Sequence, residues 1–223
     1  LSMILVYTII FSQLMRARLP GVESNFGYSI YLCAGVLSWG LFTEITSRSV
    51  NMFLDNANLL KKLSFPRLCL PVTLVSTALV NFSIIFALFF VFLVLSGNFP
   101  GAAIIALLPV ILLLVALAVG FGMVLGVLNV FFRDVGQFFN MIITFWFWLT
   151  PIVYPINILP ERLQSLMAIN PVGAIIAAMQ GILVQGLWPA WSSLIYPLVL
   201  TIILCTLGVR LFRRHSGDMV DEL

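Results

Sequence analysis

The sequence predicts an all-α integral membrane protein with six transmembrane helices, a short cytoplasmic helix after the second, and a re-entrant helix pair between the fifth and the sixth. Of its 223 residues, 62% are hydrophobic and 9% are charged, whereas a soluble domain has about 45–50% apolar and about 25% charged residues. Apolar stretches near the ~20 residues that cross a bilayer alternate with short polar segments. A soluble enzyme or binding module is therefore excluded, and we expect residues 1–223 to form one transmembrane domain.

Six apolar stretches define the predicted spans. They are residues 1–14, 28–46, 68–96, 102–132, 138–154 and 191–212. The first is shorter than the ~20 residues of a span, and the chain begins at Leu1 rather than Met. We therefore interpret it as a span cut at its start, in an N-terminally truncated chain, and not as a signal peptide.

The basic residues orient the six spans. One side of the membrane receives Arg48, Lys61, Lys62, Arg67, Arg133, Arg210, Arg213 and Arg214, and the other receives Arg16, Arg18 and Arg162. Because Lys and Arg concentrate in cytoplasmic loops, both termini, the segment 47–67 and the turn at Arg133 are predicted to be cytoplasmic.

The residue inventory argues against several kinds of active site. The single histidine, His215, cannot form a two-histidine zinc motif, and a Ser–His triad would have to recruit it from the polar tail. The only lysines, Lys61 and Lys62, follow no glycine-rich phosphate loop. The net charge of +3 is too small for nucleic-acid binding. The spans hold almost no ionisable groups that could couple ions to transport, so we expect energy to come from a partner.

The segment 47–67 contains an amphipathic stretch at residues 50–60. Val50, Phe53, Leu54 and Ala57 fall on one helical stripe. One interpretation is a helix on the membrane surface with basic residues touching anionic lipid. The other is a short helix that docks into a cytoplasmic partner and transmits force to the neighbouring spans.

The fifth span is rich in aromatic residues, with five between Phe145 and Tyr154. They could form an interfacial belt, or they could line a path for a sugar chain, because aromatic faces pack against the C–H faces of pyranose rings. Trp146 and Trp148 lie two positions apart, about 200° around a helix, so they cannot both face a conduit.

Polar and small residues inside the spans predict close helix packing. Gly122 and Gly126 form a GxxxG motif, whose packing partner the sequence leaves open, and Asn81, Asn129 and Asn140 are candidates for interhelical hydrogen bonds. After the fifth span, prolines divide residues 155–189 into apolar pieces too short to cross. These pieces are either surface helices or a re-entrant pair at the outer mouth of a cavity.

A series of short motifs occurs in a fixed order along the chain. It consists of NLLKKLSFPR (58–67), Leu70-Pro71, NVFFRDV (129–135), FWLTPIVYP (147–155), Leu159-Pro160 and Asn170-Pro171. The ordered set resembles the permease subunits of bacterial type 2 ABC exporters of polysaccharides and polyol phosphates, which export O-antigen, capsule and teichoic acid. The resemblance covers essentially the whole chain.

The resemblance implies a role for each motif. A coupling helix at about residues 51–62 would sit on a cytoplasmic nucleotide-binding ABC subunit, whose closure would move the second and third spans. The turn at 132–134 would lie at the cytoplasmic base of the fourth and fifth spans. The helices at about 159–184 would form an outer gate. The expected coupling residues are Asn51, Phe53, Leu54, Asn58, Lys61, Lys62, Arg133 and Asp134. The expected gate residues are Pro155, Pro160, Asn170 and Pro171.

The resemblance also implies an assembly in the bacterial inner membrane. Two copies would form the conduit between them, ATP and Mg would bind to the partner subunit, and this chain would hold no cofactor. The other expected partners are membrane lipids and a lipid-linked glycan, and no nucleic acid. The expected conduit residues are Tyr7, Phe11, Trp146, Trp148 and Tyr154. The family's amphipathic helix before the first span is not found in this sequence, which agrees with a truncated start.

The expected function is therefore that of the membrane-spanning subunit of an ATP-driven exporter of lipid-linked polysaccharide. One alternative keeps this architecture but exports a drug or small lipid. A second is an integral membrane enzyme acting on lipid-linked intermediates, which would require paired acids or a His–Asp set at the membrane surface. A third is a structural or assembly protein without a conduit.

Overall fold

The computed structural model describes residues 26–61, 69–156, 160, 162, 164 and 167–222. Within these residues the regular elements are all helices, which confirms the all-α class. They are α1 (Gly27–Asp55), α2 (Ala57–Leu60), α3 (Cys69–Leu95), a 3-10 helix (Gly101–Ala106), α4 (Leu107–Phe131), α5 (Asp134–Leu149), α6 (Pro171–Gln185), α7 (Trp191–His215) and α8 (Asp218–Glu222). The predicted first span, with Tyr7 and Phe11, and Lys62 lie outside the described residues.

Four segments of the described chain are long and apolar enough to cross a membrane. They are Gly27–Asp55, Cys69–Leu95, Gly101–Phe131 and Trp191–His215. They coincide with the predicted second, third, fourth and sixth spans. The predicted fifth span is a helix of 16 residues, α5, which covers about 24 Å of a hydrocarbon core about 30 Å thick. The count of six spans stays a prediction.

Pro151 explains why α5 stops short of the predicted end at residue 154. A proline disfavours helical geometry at the preceding residue, and Thr150 is extended, with φ −104° and ψ 132°. The chain leaves the helix there and forms a turn over residues 150–154, which we call the outer turn after the side of the membrane that the charge pattern predicts for it.

Helix α1 is longer than the predicted second span, and this corrects the prediction of a separate helix at residues 51–62. The helix continues for 29 residues through Thr46 to Asp55, because no glycine or proline interrupts residues 41–55. Asn56 ends it, with its side-chain amide donating to the carbonyl of Met52 at 2.8 Å. Only the four residues of α2 follow as a separate helix.

Helix α4 lies at the centre of the fold and contacts α1 through glycines. A Cβ at Gly122 would overlap the side chain of Ser49, and a Cβ at Gly126 would lie 2.6 Å from the Ser49 carbonyl oxygen. On another side, a Cβ at Gly120 would lie 3.1 Å from the backbone nitrogen of Cys205 in α7. The GxxxG motif therefore serves close packing, as predicted, and its partner is α1 of the same chain.

Replacing Gly126 with alanine tests this contact. The added methyl would press on backbone, which cannot rotate away, so we expect Gly126→Ala to lower the free energy of unfolding by roughly 1–3 kcal/mol. Denaturant titration in detergent micelles measures it. The control is Gly40→Ala in α1, where a Cβ meets nothing within 4 Å and where alanine favours the helix. Equal stability of the two variants would contradict the close contact.

Candidate functional site

The predicted coupling residues Phe53 and Leu54 have different environments at the end of α1. Phe53 is fully buried, and its ring stacks on Phe212 of α7 with 5.3 Å between centroids. It is therefore not available to a partner, and the structure corrects its assignment. Leu54, one residue and about 100° further around the helix, is half-buried and lines a surface depression with Asn51 and Arg133.

The remaining described coupling candidates are on the surface. Asn51 is half-buried and accepts a hydrogen bond from Asn129. Asn58 and Lys61 are exposed on and just after α2, and Arg133 and Asp134 are exposed at the start of α5. The structure thus leaves Leu54, Asn58, Lys61, Arg133 and Asp134 accessible at the end of the fold that the charge pattern predicts to be cytoplasmic.

A buried asparagine joins three helices at this same end. Asn129 of α4 is 1% exposed. Its amide group donates to the carbonyl of Val50 at 3.0 Å and to the side-chain oxygen of Asn51 at 3.3 Å, both in α1. Its own side-chain oxygen accepts from the backbone N–H of Gly136 in α5 at 2.8 Å. The predicted interhelical hydrogen bonding of Asn129 is confirmed.

An open groove lies between α1, α3 and α5, and we call it the inner groove. It consists of two depressions of about 580 and 560 Å³ that share Asn51 and Asn140. Its polar wall from α5 is the set Gln137, Asn140 and Thr144, spaced on one helical face. Its polar wall from α1 and α3 is the set Ser47, Arg48, Asp55, Thr73 and Thr77. Polar side chains that line an open groove on membrane helices favour a water-filled or protein-filled space over lipid.

The charge at the α1 wall of the inner groove is balanced by a neighbour. Arg48 pairs with Glu44 at 3.1 Å, and Glu44 also accepts a hydrogen bond from Asn81 of α3 at 3.2 Å. The predicted interhelical role of Asn81 is confirmed. Arg48 is thus paired, and Asp55 and Arg133 also line the inner groove, so its lining combines neutral hydroxyls and amides with exposed charges.

The two tryptophans of α5 face different ways, as their spacing predicts. Trp146 contacts the rings of Trp39, Phe42 and Phe121, with centroids 6.2, 5.5 and 5.6 Å away. Its half-buried ring thus packs against the hydrophobic core, and its role in the conduit stays a prediction. Trp148 is 64% exposed, on the same helix as the polar wall.

A second asparagine organises the outer end of α5. Asn170 caps α6 by accepting from the N–H groups of Val172 and Gly173, both at 3.2 Å. Its side-chain oxygen also accepts from the indole N–H of Trp146 at 3.1 Å, and its amide donates to the hydroxyl of Thr150 at 2.8 Å. Pro171 occupies the first position of α6 and is buried, a position that suits its missing N–H.

Helix α6 is anchored in the protein. Its residues Val172, Ile175, Ile176, Met179, Ile182 and Leu183 are at most 1% exposed. Of the preceding predicted helix, Arg162, Gln164 and Met167 are described and helical, and the Gln164 N–H donates to Pro160 at 3.1 Å. Pro160 itself is exposed. The membrane depth of these segments, and so the re-entrant pair, stays a prediction.

The outer turn is held by side chains from two helices. Tyr28 of α1 donates to the carbonyl of Val153 at 2.8 Å, and the Tyr31 hydroxyl shares its one proton between the carbonyls of Pro151 and Tyr154, both at 3.1 Å. Gln180 of α6 donates to the carbonyl of Ile152 at 3.2 Å.

The predicted conduit residue Tyr154 and gate residue Pro155 are both half-buried at this end of the fold. The Tyr154 hydroxyl donates to the carbonyl of Trp148 at 2.8 Å. Pro155 lines a cavity of about 310 Å³ together with Tyr31 and Gln180. Hydrogen bonds from α1 and α6 therefore hold the outer turn in place, and Tyr154 and Pro155 lie at its end.

Sequence reasoning missed the polar wall of α5 and the bonds that fix the outer turn. The spacing of Gln137, Asn140 and Thr144 is visible in the sequence, but the neighbouring aromatics are the stronger pattern. The outer turn depends on backbone carbonyls, which leave no trace in residue types.

Known proteins resemble this chain over nearly its whole length. The model of the family described as ABC-2 type transporter matches residues 1–184. An O-antigen export system permease protein RfbA of Klebsiella pneumoniae is 28% identical over 98% of this chain and 82% of its own length. A protein of that name from Myxococcus xanthus is 27% identical over 98% of this chain and 83% of its own. The polysialic acid transport protein KpsM of Escherichia coli is 22% identical over 96% and 81%.

Replacing Asn170 tests the outer asparagine. We expect Asn170→Ala to lower the free energy of unfolding by about 1–2 kcal/mol through loss of the helix cap, measured by denaturant titration in micelles. Asn170→Asp keeps the acceptor and loses only the donor to Thr150, so its effect should be smaller. The control is Asn98→Ala, whose amide bonds, among the described residues, to Ser96 of its own turn. An Asn170→Ala variant no less stable than this control would contradict the assignment.

Proposed function

Because the chain belongs to the ABC-2 type transporter family, we propose that it is the membrane-spanning subunit of an exporter that moves a lipid-linked polysaccharide across the bacterial inner membrane. The observation that carries the proposal is that relatives aligned over 96–98% of this chain are named as O-antigen export permeases and a polysialic acid transport protein. The family consists of membrane transport subunits, which separates this function from that of an enzyme.

The exposed face of α5 supports a glycan as the cargo. Its amides and hydroxyls at 137, 140 and 144 can exchange hydrogen bonds with sugar hydroxyls, and further along the same helix Phe145 and Trp148 are 71% and 64% exposed. Residues 137 to 148 cover about 17 Å. A polysaccharide presents both hydroxyls and flat C–H faces, so it matches both kinds of surface.

A homodimer would complete the conduit. The exposed face of α5 carries polar side chains beside aromatic rings, and lipid offers no hydrogen-bond partners to the polar side chains. A second copy, related by two-fold symmetry, would place the same face opposite and close a passage between them.

Energy would enter through a cytoplasmic nucleotide-binding subunit, to which ATP and Mg bind. Leu54, Asn58, Lys61, Arg133 and Asp134 form the surface on which it would dock, at the end of α1 and the start of α5. With both termini cytoplasmic, nucleotide-driven closure would displace the end of α1.

Export of a drug or small lipid by the same architecture is the second candidate. The exposed rings of Phe145 and Trp148 favour it, since they would also pack against an apolar cargo. The neutral hydrogen-bonding wall beside them favours a glycan. Comparing lipid-linked glycan with fluorescent drug in vesicles that contain the permease and its ATPase subunit decides between them.

The aromatic contact with the glycan has a direct test. Trp148→Ala should lower glycan export about fivefold to tenfold, as expected for about 1–1.4 kcal/mol of lost contact, with the complex intact and basal ATP hydrolysis near normal. Trp148→Phe should retain most export. The control is Trp188→Ala, which removes a tryptophan that is 58% exposed outside α5. If both alanine variants export alike, Trp148 does not contact the cargo.

The docking surface is tested by two adjacent substitutions. Leu54→Asp should leave the protein inserted but lower export per ATP hydrolysed, because a charge would enter the apolar contact with the ATPase subunit. Phe53→Asp would bury that charge inside the permease, so it should reduce the amount of folded protein. Glu222→Gln, at an exposed position of α8, is the control and should export normally. Normal export by Leu54→Asp would remove this residue from the docking surface.

A further inference from the structure

We propose that α5 is a rigid connection between the cytoplasmic end of α1 and the outer turn, and that Asn129 is the positioning residue that fixes its inner end. Under this proposal, a displacement at residues 56–61 reaches the start of α6 through α5. The inference rests on the proposed function, since the displacement would come from the nucleotide-binding subunit.

The inner end of α5 is fixed because the Asn129 side chain is fully engaged. Its amide nitrogen donates to the Val50 carbonyl and to the Asn51 side-chain oxygen in α1, and its own side-chain oxygen accepts from the Gly136 N–H. That N–H belongs to the first turn of α5, where helix amides have no partner within the helix, and Arg133 provides no side-chain cap. Asn129 therefore caps α5 from another helix, and sliding α5 against α1 would break a buried hydrogen bond.

Close packing leaves little space for α1, α4 and α5 to move relative to one another at Asn129. A Cβ at Gly136 would lie 3.0 Å from both terminal atoms of the Asn129 amide and 3.2 Å from the side-chain oxygen of Asn51. The same part of α1 is held against α4 at Gly126, where a Cβ would lie 2.6 Å from the Ser49 carbonyl oxygen. A displacement of this end of α1 would therefore carry α4 and the start of α5 with it.

Hydrogen bonds also fix the outer end of α5 to α6. Trp146 and Thr150 both bond to Asn170, which is the cap of α6. Beyond them, the carbonyl of Ile152 accepts from Gln180, inside α6. Movement of α5 along its axis therefore pulls on the first turn of α6 at one point and on its middle at another.

Helix α3 also packs on the docking end of α1, because Leu70 and Leu74 belong to the same apolar cluster as Phe53. In the described part of the chain, the side-chain hydrogen bond between α3 and α1 is that of Asn81 to Glu44, at an exposed position. A displacement of the docking end would therefore reach α3 through apolar contacts and α5 through the buried hydrogen bonds of Asn129.

The experiment uses the full chain assembled with its ATPase subunit, with Cys33, Cys69 and Cys205 replaced by Ser. Ile169, which is 63% exposed beside the α6 cap, is replaced by Cys, and its rate of reaction with a membrane-impermeant maleimide is measured with and without ATP. We expect ATP to change the rate in the wild-type background. Asn129→Ala should abolish that change and lower export per ATP hydrolysed about fivefold or more, as for a coupling near 1 kcal/mol.

Two further variants separate coupling from folding. Gly136→Ala adds a methyl group that would push the Asn129 amide away from α5, so it should behave like Asn129→Ala. Gly181→Ala in α6 is the control, because a Cβ there meets nothing within 4 Å, and it should behave like the wild type. An Asn129→Ala complex that keeps both the ATP-dependent rate change and the export ratio overturns the inference.

A distance measurement decides the matter even if Asn129→Ala does not fold. Spin labels at Asp55 and Phe138, both exposed, report the separation of α1 and α5 in the complex without nucleotide and in the ATP-trapped state. An unchanged distance together with an ATP-dependent rate at residue 169 supports the rigid connection, and a changed distance overturns it. A complex that neither binds the ATPase subunit nor exports glycan would instead refute the proposed function.

Discussion

The contact of α4 with α1 at Gly122 and Gly126 is the constraint on which the remaining structure depends. In lipid, helices gain little from burying apolar surface against each other. Their association depends instead on small residues that let the helix backbones approach closely. Here the Ser49 backbone lies against the glycine surface of α4, while Gly120 and Gly208 bring α7 close on another side. With α1, α4 and α7 fixed in this way, the Phe53–Phe212 stack and the positions of α5 and α6 follow.

Buried amides then select one arrangement among many that apolar packing alone would permit. Leu, Ile and Phe surfaces slide over one another at little energetic difference, whereas Asn129, Asn170 and Gln180 each have partners at defined positions. An amide displaced from such partners in an apolar surrounding loses its hydrogen bonds without water to replace them. These three residues therefore set the register of α5, the start of α6 and the shape of the outer turn.

The spans were predictable because length and apolarity are local properties, and α1, α3, α4 and α7 all have them. The end of α1 could not be predicted. The polar residues after Thr46 resemble a loop, but they include no glycine or proline that would break the helix before Asp55. Phe53 and Leu54 are equally apolar, and only the position of α7 decides which one is buried. The spacing of Trp146 and Trp148 predicted opposite faces, but which of them packs against the core depends on Phe42 and Phe121, far away in the sequence.

The uninterrupted course of α1 has a consequence for the membrane around the protein. Its 29 residues reach about 43 Å, against a hydrocarbon core about 30 Å thick. Tyr28 and Tyr31, near its start, bond to the turn at residues 151–154, so the excess must emerge at the opposite end, beside α2, or be taken up by tilt. The height at which Leu54 and α2 stand above the lipid headgroups is therefore a function of bilayer thickness. Membranes with shorter or longer acyl chains would hold this surface at a different height above the bilayer.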